Sequence, residues 1–395
     1  MAHSIEYIIS ACILVLVLLT STSFAFLYVL PQRLSTSQQQ VIRHCESVMA
    51  QLVGSPGRPA GWGGSLTYKP DDLQELGLAV EEHGLTIPYV LDVDKVNKLV
   101  DSDFGITADQ VSALLDIERE YLFNLKIYPA IKIDPRPTKT VTVNGKPMYA
   151  SFKVYVTTHD GIPLPNVNLS SSVMATYAKT GLGGDDAEVI YYDSDFISAS
   201  TDWNGSACLD FTNFISSLDG SPVGLVLTVL ANYHGIPSTK AFEFGSNPDD
   251  TFRAKMVGET ILVEIPVDKA PPKGAKHARK AAKVITVDQG LAVGTAEDNL
   301  LVFAKMNEGL VNYGSKNYKT FSLSSNEPNM YFVAFVVKSI GKNKLVVVPR
   351  LPDYVEFGYK VPSWGTTSMA QVRRMVMIEG AAYYVELTLW KASEF

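Results

Sequence analysis

The chain has 395 residues, of which 46% are hydrophobic and 19% charged, so it is long enough for two or three globular domains. Its formal net charge of −7 excludes bulk electrostatic attraction to nucleic acid or to an anionic membrane surface. The cysteines Cys12, Cys45 and Cys208 are too widely spaced for a disulfide framework or a metal site. They are either small buried apolar side chains or, for Cys45 and Cys208, one bridge.

The chain begins with an uncharged apolar run over residues 7–30. A helix here, at about 1.5 Å per residue, would reach roughly 36 Å, enough for a hydrocarbon core of about 30 Å. The run therefore predicts an N-terminal transmembrane helix over residues 1–30, with the lipid bilayer as its partner. A cleaved secretory signal is the alternative, because Ser23-Phe24-Ala25 has the small-x-small pattern of a cleavage site, yet the run resumes at Phe26.

Two signals disagree on the side of the membrane that the rest of the chain occupies. Arg33 and Arg43 follow the apolar run, which by the positive-inside rule favours the cytoplasm. The N-x-[ST] sequons at Asn168 and Asn204 instead suit surface loops of an exported protein. The β-branched, turn-rich composition agrees with export. We expect a single-pass protein of the cell membrane with extracellular C-terminal domains, glycosylated at Asn168 and Asn204.

Residues 31–54 predict an amphipathic stalk helix. Apolar side chains recur at near-heptad spacing at Val41, Cys45, Val48 and Leu52, with polar residues between them. This stripe predicts a contact with another subunit, and packing on the chain's own domain is an equally weighted alternative. The Gly- and Pro-rich segment 54–64 ends the helix.

Residues 55–137 predict a small helical cap with a strand. Thr107 and Gln110 have the spacing of a capping box at the start of a helix. The segment Tyr121–Pro129 alternates as a strand, with Tyr121, Phe123, Leu125 and Ile127 on one face.

Residues 138–267 predict an antiparallel Ig-like β-sandwich, because short alternating strands are separated by turn signals. Asn144-Gly145 is a hairpin-type turn within it. The basic, proline-bearing segment 268–283 predicts a linker or loop, since no aromatic residue interleaves its charges as in a nucleic-acid patch. Residues 284–395 predict a second β-rich domain, whose final strand, Tyr383–Trp390, we expect inside a sheet.

The sequence offers no recognisable catalytic constellation. It has no H-E-x-x-H pair, no G-x-S-x-G and no Walker loop, so we predict no enzyme, no catalytic residue, no cofactor and no small-molecule substrate. Three acidic pairs lack the frame of a calcium loop, so we predict solvated turns rather than a metal site. These pairs are Asp92/Asp94, Asp101/Asp103 and Asp193/Asp195.

Five stretches resemble segments of known families. Ser4-Ile5-Glu6-Tyr7-Ile8 ahead of an apolar run resembles the start of archaeal type IV pilins and archaellins, which carry a class III signal. The segments Ser55–Gly63 and Tyr89–Val96 resemble archaeal pilin-like surface proteins with a β-sandwich ectodomain. His159–Val167, with Thr201–Gly205 downstream, is similar to Ig-like domains of the carboxypeptidase-regulatory and invasin type.

The resemblance implies that Glu6 pairs with the terminal amine of an adjacent subunit. Together with the patterns above it predicts a fold that is mainly β, with an N-terminal transmembrane and amphipathic helix, an Ig-like sandwich, a second β-rich domain and a helical cap. We expect a non-enzymatic surface protein that serves adhesion or envelope assembly with copies of itself or other envelope proteins. A structural subunit of a pilus-like filament is the alternative, and an envelope enzyme is a third.

Overall fold

The structure is a computed structural model of the chain. It describes residues 14–15, 18, 30–117, 120–180, 188–244, 254–264, 286–295, 307–313, 316–322, 330–339, 342–362 and 368–392. Glu6, nearly all of the apolar run 7–30 and the basic segment 268–283 lie outside these residues. No helix within the described ranges combines the length and the apolar character that crossing a membrane requires.

The described fold is mainly β, as the sequence predicts. The helices with assigned bounds contain far fewer residues than the strands and lie before residue 217. They are α1 (Leu30–Gly54), α2 (Val93–Leu99), α3 (Ala108–Leu114) and α4 (Thr212–Ser216), with a 3₁₀ turn at Pro70–Asp72.

A six-stranded sheet brings together the early and the late parts of the chain. Its strand order is β1-β2-β19-β20-β3-β18, with β2 and β19 parallel and the other neighbours antiparallel. The strands are β1 (Ala79–Glu82), β2 (Leu85–Leu91), β3 (Tyr121–Pro129), β18 (Val355–Gly358), β19 (Met369–Ile378) and β20 (Ala381–Lys391). The strand predicted at Tyr121–Pro129 is confirmed, and its four predicted core residues are all buried.

Helix α1 packs on one face of this sheet, against β19, β20 and β2. Its apolar stripe fits that role because residues spaced by three and four positions share one helix face. We call α1, the six-stranded sheet and the segments between them the base.

The cap helices α2 and α3 belong to the base. Asp92 caps α2 by accepting from the backbone N–H groups of Asp94 and Lys95. The capping box predicted at Thr107 and Gln110 is confirmed, since each side chain bonds the backbone N–H of the other residue. Each cap satisfies amide groups that have no partner within the helix.

The first β-module comprises residues 131–244 and contains two sheets on one shared apolar core. One sheet has the order β4-β5-β8, with β4 (Ile131–Val143), β5 (Lys146–Thr158) and β8 (Ser206–Asp210). The other has the order β10-β9-β6-β7, with β6 (Asn168–Thr180), β7 (Glu188–Ser200), β9 (Ser221–Tyr233) and β10 (Ile236–Phe244). The predicted Asn144-Gly145 hairpin is confirmed between β4 and β5, with positive φ at both residues.

The second β-module comprises the described residues between 254 and 349. One sheet has the order β11-β12-β15-β14, with β11 (Ala254–Val257), β12 (Thr260–Glu264), β14 (Asn307–Tyr313) and β15 (Lys316–Ser322). The other has the order β13-β16-β17, with β13 (Thr286–Thr295), β16 (Met330–Ser339) and β17 (Lys342–Pro349).

The two modules meet between β9 and β17. A Cβ at Gly224 would lie 2.8 Å from the Cβ of Leu345, so only glycine permits this approach without a shift. Val226 of β9 points to the same side, whereas Leu225 and Leu227 point into the core of the first module. Strand β9 is therefore buried on both faces, which explains its continuous apolar sequence.

The sheets do not follow the predicted boundaries at 137/138 and 283/284. Strand β4 spans the first boundary, and the predicted unit 284–395 is divided among three sheets. Strand β20 does lie inside a sheet, between β19 and β3, but this sheet is that of the base. The chain leaves the base after β3, forms both modules and returns at β18.

Candidate functional site

The stripe predicted as a subunit contact is covered by the chain's own base. Val41, Cys45, Val48 and Leu52 are each at most 4% exposed and belong to the core between α1 and the sheet. The thiol of Cys45 lies 3.5 Å from the carbonyl oxygen of Leu387 and 3.8 Å from that of Ala370. Burial raises the pKa of Cys45 to about 12. These four side chains pack on the chain's own domain, which is one of the two alternatives that the sequence left open. The folded chain therefore does not offer them to a second subunit.

The two sequon asparagines both lie on the surface of the first β-module. Asn168 starts β6, where its Oδ1 accepts from the Ser200 hydroxyl at 3.3 Å. Asn204 lies in the turn between β7 and β8. Their exposure leaves both side chains accessible, and glycosylation stays a prediction.

The turn that contains Asn204 projects a tryptophan side chain into the solvent. Trp203 is 82% exposed, and Ile162 in the neighbouring loop is 62% exposed. Asp202 fixes the turn, because its carboxylate accepts from the N–H groups of Asn204 and Ser206 at 2.9 and 2.8 Å. These backbone bonds are the largest cause of the lowered pKa of Asp202, and the Ser206 hydroxyl adds a further bond.

The turn is also tied to the loop that contains Ile162. The Thr201 hydroxyl donates to the carbonyl oxygen of Leu164 at 2.8 Å and accepts from the N–H of Val167 at 2.9 Å. The backbone of Gly205 lies so close to Val156 and Leu164 that a Cβ there would meet their atoms at 2.6 and 2.8 Å. We call Trp203, Ile162 and these two loops the Trp203 tip.

A cavity of about 330 Å³ lies where the base and the two modules meet. Its walls come from residues 129–133 between β3 and β4, from β10 and from the segment 349–354 between β17 and β18, with Tyr383 of β20. The apolar part contains Pro129, Pro349 and Pro352, and the polar part contains Lys132, Lys240, His159 and Asp353. We call this cavity the junction cleft.

Two interactions hold the junction cleft in shape. Lys240 and Asp353 form an ion pair of 2.9 Å between β10 and the segment that returns to the base. The Tyr383 hydroxyl donates to the carbonyl oxygen of Pro352 at 3.0 Å. Tyr354 stands at the rim, 49% exposed, with its hydroxyl donating to Glu356 at 3.1 Å.

His159 joins the junction cleft to an aromatic and ionic cluster on the outer face of the base sheet. Its ring stacks on Tyr128, with centroids 3.8 Å apart. Arg373 lies over Tyr384 and Tyr128 and donates to the Glu386 carboxylate at 3.2 Å. Burial and the adjacent Glu386 raise the pKa of Tyr128 to about 12. The cluster therefore keeps the neutral Tyr128 phenol and a paired guanidinium beside the cleft.

A second polar cluster fastens the second β-module to the cap. Lys255 of β11 lies 2.7 and 2.9 Å from the two carboxylate oxygens of Asp101 and 2.7 Å from Asp103. The Tyr318 hydroxyl donates to Asp103 at 2.5 Å, and Lys316 lies 3.5 Å from it. The Lys255 ammonium also lies over the rings of Tyr313 and Tyr318, at 4.5 and 5.1 Å. We call these six residues the ionic clasp.

The ionic clasp changes the protonation equilibria of its members. Hydrogen bonds from Lys255 and Tyr318 and the charges of Lys255 and Lys316 lower the pKa of Asp103, although burial acts as a large opposing cause. Burial and the neighbouring carboxylates raise the pKa of Tyr318 above its usual range. The clasp therefore holds an ionised Asp103 against the Lys255 and Lys316 ammonium groups near neutral pH.

The three acidic pairs have different surroundings. Asp101 and Asp103 are in the ionic clasp, while Asp94 is buried, accepts from the N–H of Gly258 at 3.0 Å and lies 3.5 Å from Arg350. Asp193 accepts from the Tyr177 hydroxyl at 2.5 Å. Among the described residues, no group of three or more His, Cys, Asp or Glu side chains could hold a metal ion. The acidic pairs are thus partners of lysine, arginine and tyrosine where the structure describes them.

Sequence patterns did not predict the junction cleft, and of the ionic clasp they singled out only the pair Asp101/Asp103, as a solvated turn and not as the partner of Lys255. Their members lie far apart in the chain, and each alone is an ordinary surface-type residue. The sequence did carry a weak indication that Trp203 is exposed. It lies between Asp202 and the Asn204-Gly205 turn, where no residue of a neighbouring strand would cover it.

No family model matches the chain, and no curated protein matches it significantly.

Proposed function

We propose that the chain is a non-enzymatic surface protein, anchored in the membrane through residues 7–30, that presents its β-modules outside the cell for adhesion or envelope assembly. The observation that supports this most is the insertion of both modules between β3 and β18 of the base. Helix α1 follows the apolar run directly and is built into the core of that base. An anchor on residues 7–30 would therefore hold the base, and the base would carry the modules.

The first β-module supports a presentation role by its architecture. A three-stranded and a four-stranded antiparallel sheet share one core, an arrangement that fits an Ig-like sandwich. Such sandwiches leave their end loops free to bind, because the core is closed by the strands themselves. The Trp203 tip is built from two of these loops.

The alternative function, also at the cell surface, is that of a subunit of a pilus-like filament. In it the apolar runs of many copies would bundle, with Glu6 paired to a neighbouring amine. Helix α1 is described from Leu30, where the apolar run ends. This adjacency in the chain is compatible with a filament core and with a simple anchor alike.

The experiment that tests the proposal is mass spectrometry of the native protein, with extraction by detergent run alongside. Intact mass and the N-terminal residue define processing near Glu6, and peptide mapping detects a glycan on Asn168 or Asn204. Protease treatment of whole cells, with lysed cells as the control, reports which side of the membrane the modules occupy.

Release by detergent alone, with modules cut on whole cells, is the expected result. Recovery in sheared high-mass filaments with a leader removed near Glu6 would favour the filament subunit. Modules protected on whole cells but cut after lysis, or a protein extracted without detergent, would overturn the proposal.

A further inference from the structure

A buried ionic cluster lies at the turn between β11 and β12, on the same hairpin as Lys255 of the ionic clasp. The Asp94 carboxylate of the cap accepts from the N–H of Gly258 in that turn at 3.0 Å. Arg350, which follows β17, lies 3.5 Å from Asp94 and 3.2 Å from Glu379 in the turn between β19 and β20. We call Asp94, Arg350 and Glu379 the Arg350 cluster. It joins the cap, the second β-module and the base sheet at one point.

The β11–β12 turn fits closely against the cap. Gly258 has a φ of +58°, and a Cβ there would lie 2.5 Å from the carbonyl oxygen of Gly64. The hydrogen bond from Gly258 to Asp94 depends on this close approach. Movement of the hairpin away from the cap therefore breaks that bond and admits water to the Asp94 carboxylate.

A single guanidinium serves two carboxylates in the Arg350 cluster. The Nη2 atom of Arg350 is the nitrogen that lies near both Asp94 and Glu379, while its Nε is buried without a hydrogen-bond partner among the described residues. The side chains of Asp94, Arg350 and Glu379 are 8%, 15% and 20% exposed, so water screens the two negative charges poorly. The pairing is therefore complete only when one of the two acids is protonated.

The other charged groups around the cluster come from the cap and from β11. Asp92 adds a third carboxylate, and Lys98 adds a positive charge that acts on Asp94. The ammonium groups of Lys95 and Lys98 each donate to two backbone carbonyl oxygens of the segment 56–79, and Lys95 lies 3.8 Å from Asp92. Lys255 of β11 is bound by the ionic clasp. These cations are thus already engaged, and Arg350 is the one that Asp94 and Glu379 share.

The backbone at Glu379 is an independent sign that its carboxylate matters. Glu379 and Gly380 form the two-residue turn between β19 and β20, with φ of +47° and +75°. Such a turn favours asparagine or glycine at its first position, because a longer side chain is strained at positive φ. The turn gains nothing from glutamate. Strained residues of this kind point to a function of the side chain, which here is its contact with Arg350.

We infer that the Arg350 cluster is a proton-linked latch, which holds the β11–β12 hairpin on the cap in mild acid and loosens it as the solution becomes neutral and then basic. With one proton shared by Asp94 and Glu379, the guanidinium balances the negative charge that remains. When that proton is lost, the two carboxylates repel each other, and the open hairpin is favoured because it exposes Asp94 to water. The inference is independent of the proposed membrane anchorage.

The direction of the pH dependence follows from the two acids. Burial is the largest cause acting on each, and it raises the pKa of Asp94 and of Glu379 against the opposing charge of Arg350. Their contribution to the closed state is therefore fully present below the ordinary values of 3.8 and 4.5, and it is lost as the pH rises through the folded values. The pKa of Asp103 in the ionic clasp is lowered, so its contribution is lost in stronger acid. The hairpin should be held most tightly at about pH 4 to 5.

The test is hydrogen exchange of the full chain in neutral detergent micelles between pH 5 and pH 8, read by mass spectrometry and corrected for the intrinsic rate of each amide. Peptides of β11 and β12 report the latch, and peptides of β9 are the internal reference. The variants are Glu379→Gln and Asp94→Asn, which replace a carboxylate by a neutral group that still accepts a hydrogen bond. The matched control is Glu82→Gln, at an exposed glutamate beside the turn of the β1–β2 hairpin.

The opening constant of β11 and β12 in the wild-type protein should rise at least about fivefold from pH 5 to pH 8, relative to β9. Glu379→Gln and Asp94→Asn should each remove this rise, because one carboxylate and Arg350 form a balanced pair. At pH 8 Glu379→Gln should also open less often than the wild type, by a similar factor. A glutamate that only supports the structure would give the opposite result. Glu82→Gln should keep the wild-type profile.

Three results would overturn the inference. The first is a wild-type opening constant that stays level or falls between pH 5 and pH 8. The second is a rise that persists in either variant of the cluster, which would assign the pH dependence to another group. The third is a Glu379→Gln hairpin that opens more often than the wild type at pH 8, which would make Glu379 a simple structural partner of Arg350.

Discussion

The two β-modules are attached to the base by different chemistry. The first module meets the base around the junction cleft, with apolar walls, one exposed ion pair and a neutral tyrosine hydrogen bond. The second shares an apolar core with the base, to which Val257 and Leu262 contribute. It also meets the cap through the ionic clasp, where Asp101 and Asp103 face Lys255 and Lys316. An apolar contact responds little to pH or salt, whereas a partly buried ionic one depends on the protonation of its carboxylates. The modules should therefore respond to different conditions.

Asp103→Asn should produce the largest loss at the ionic clasp. The aspartate is nearly buried, accepts from Lys255 and Tyr318 and lies 3.5 Å from Lys316. The neutral amide therefore leaves two ammonium groups with a weaker partner. We expect about 3 kcal/mol less free energy of opening for β11 and β15 by hydrogen exchange. The matched control is Asp353→Asn, which removes an exposed carboxylate and should cost under about 1 kcal/mol. Equal losses for the two variants would contradict the distinction between the two attachments.

Acid should open the second module before the first. The pKa of Asp103 is lowered in the folded protein from the usual 3.8, so its contribution to stability is present above about pH 3.8 and is lost as the pH falls through the folded value. Hydrogen exchange as a function of pH, compared between β15 and β9, is the measurement. The Asp103→Asn variant should lack this acid dependence, and a first module that opens at the higher pH would contradict the prediction.

Tyr318→Phe should have an intermediate effect. Its hydroxyl donates to the ionised Asp103, and hydrogen bonds to charged groups contribute about 1.5–3 kcal/mol. We expect about half of this to be lost, because Asp103 keeps Lys255 and Lys316 as partners. Tyr354→Phe is the control, since it removes a hydroxyl that donates to a carboxylate at an exposed site. The free energy of opening of β15, measured by hydrogen exchange, should fall in Tyr318→Phe and stay unchanged in Tyr354→Phe.

Tyr383→Phe should have the smallest effect and a different salt dependence. Its hydroxyl donates to a neutral carbonyl oxygen at the junction cleft, so about 1 kcal/mol should be lost. That loss should be the same in low and in high salt, whereas the loss caused by Tyr318→Phe should shrink as salt screens the clasp. Thermal unfolding at two ionic strengths checks both. A salt-dependent loss in Tyr383→Phe would show that the cleft, too, is held by charge.

Short-range features were predictable because their causes lie within a few residues. The alternation of Tyr121, Phe123, Leu125 and Ile127 gave the buried face of β3, and the Thr107–Gln110 spacing gave the capping box. The Asn144-Gly145 turn gave the β4–β5 hairpin, because both residues tolerate positive φ. None of these needed knowledge of a distant part of the chain.

The stripe on α1 shows where such reasoning stops. Its spacing predicts that one helix face is buried, which is correct, but the same spacing serves a subunit contact and an internal one. The partner is the sheet that holds Ala370 and Leu387, more than 300 residues away. Only the completed sheet decides between a subunit contact and an internal contact. Burial of the apolar face of the helix is equally favourable against either partner.

The sequence by itself determined that this chain is mainly β, which segments alternate as strands, and where several turns and caps lie. Those outcomes follow from side-chain periodicity and local hydrogen bonding. The tertiary structure alone decided that early and late strands share the base sheet, that Lys255 meets Asp101 and Asp103, and that Trp203 stands uncovered at the surface. Those outcomes depend on contacts between residues that are far apart in the chain. Local sequence patterns do not show which distant residues meet or how much free energy their contact contributes.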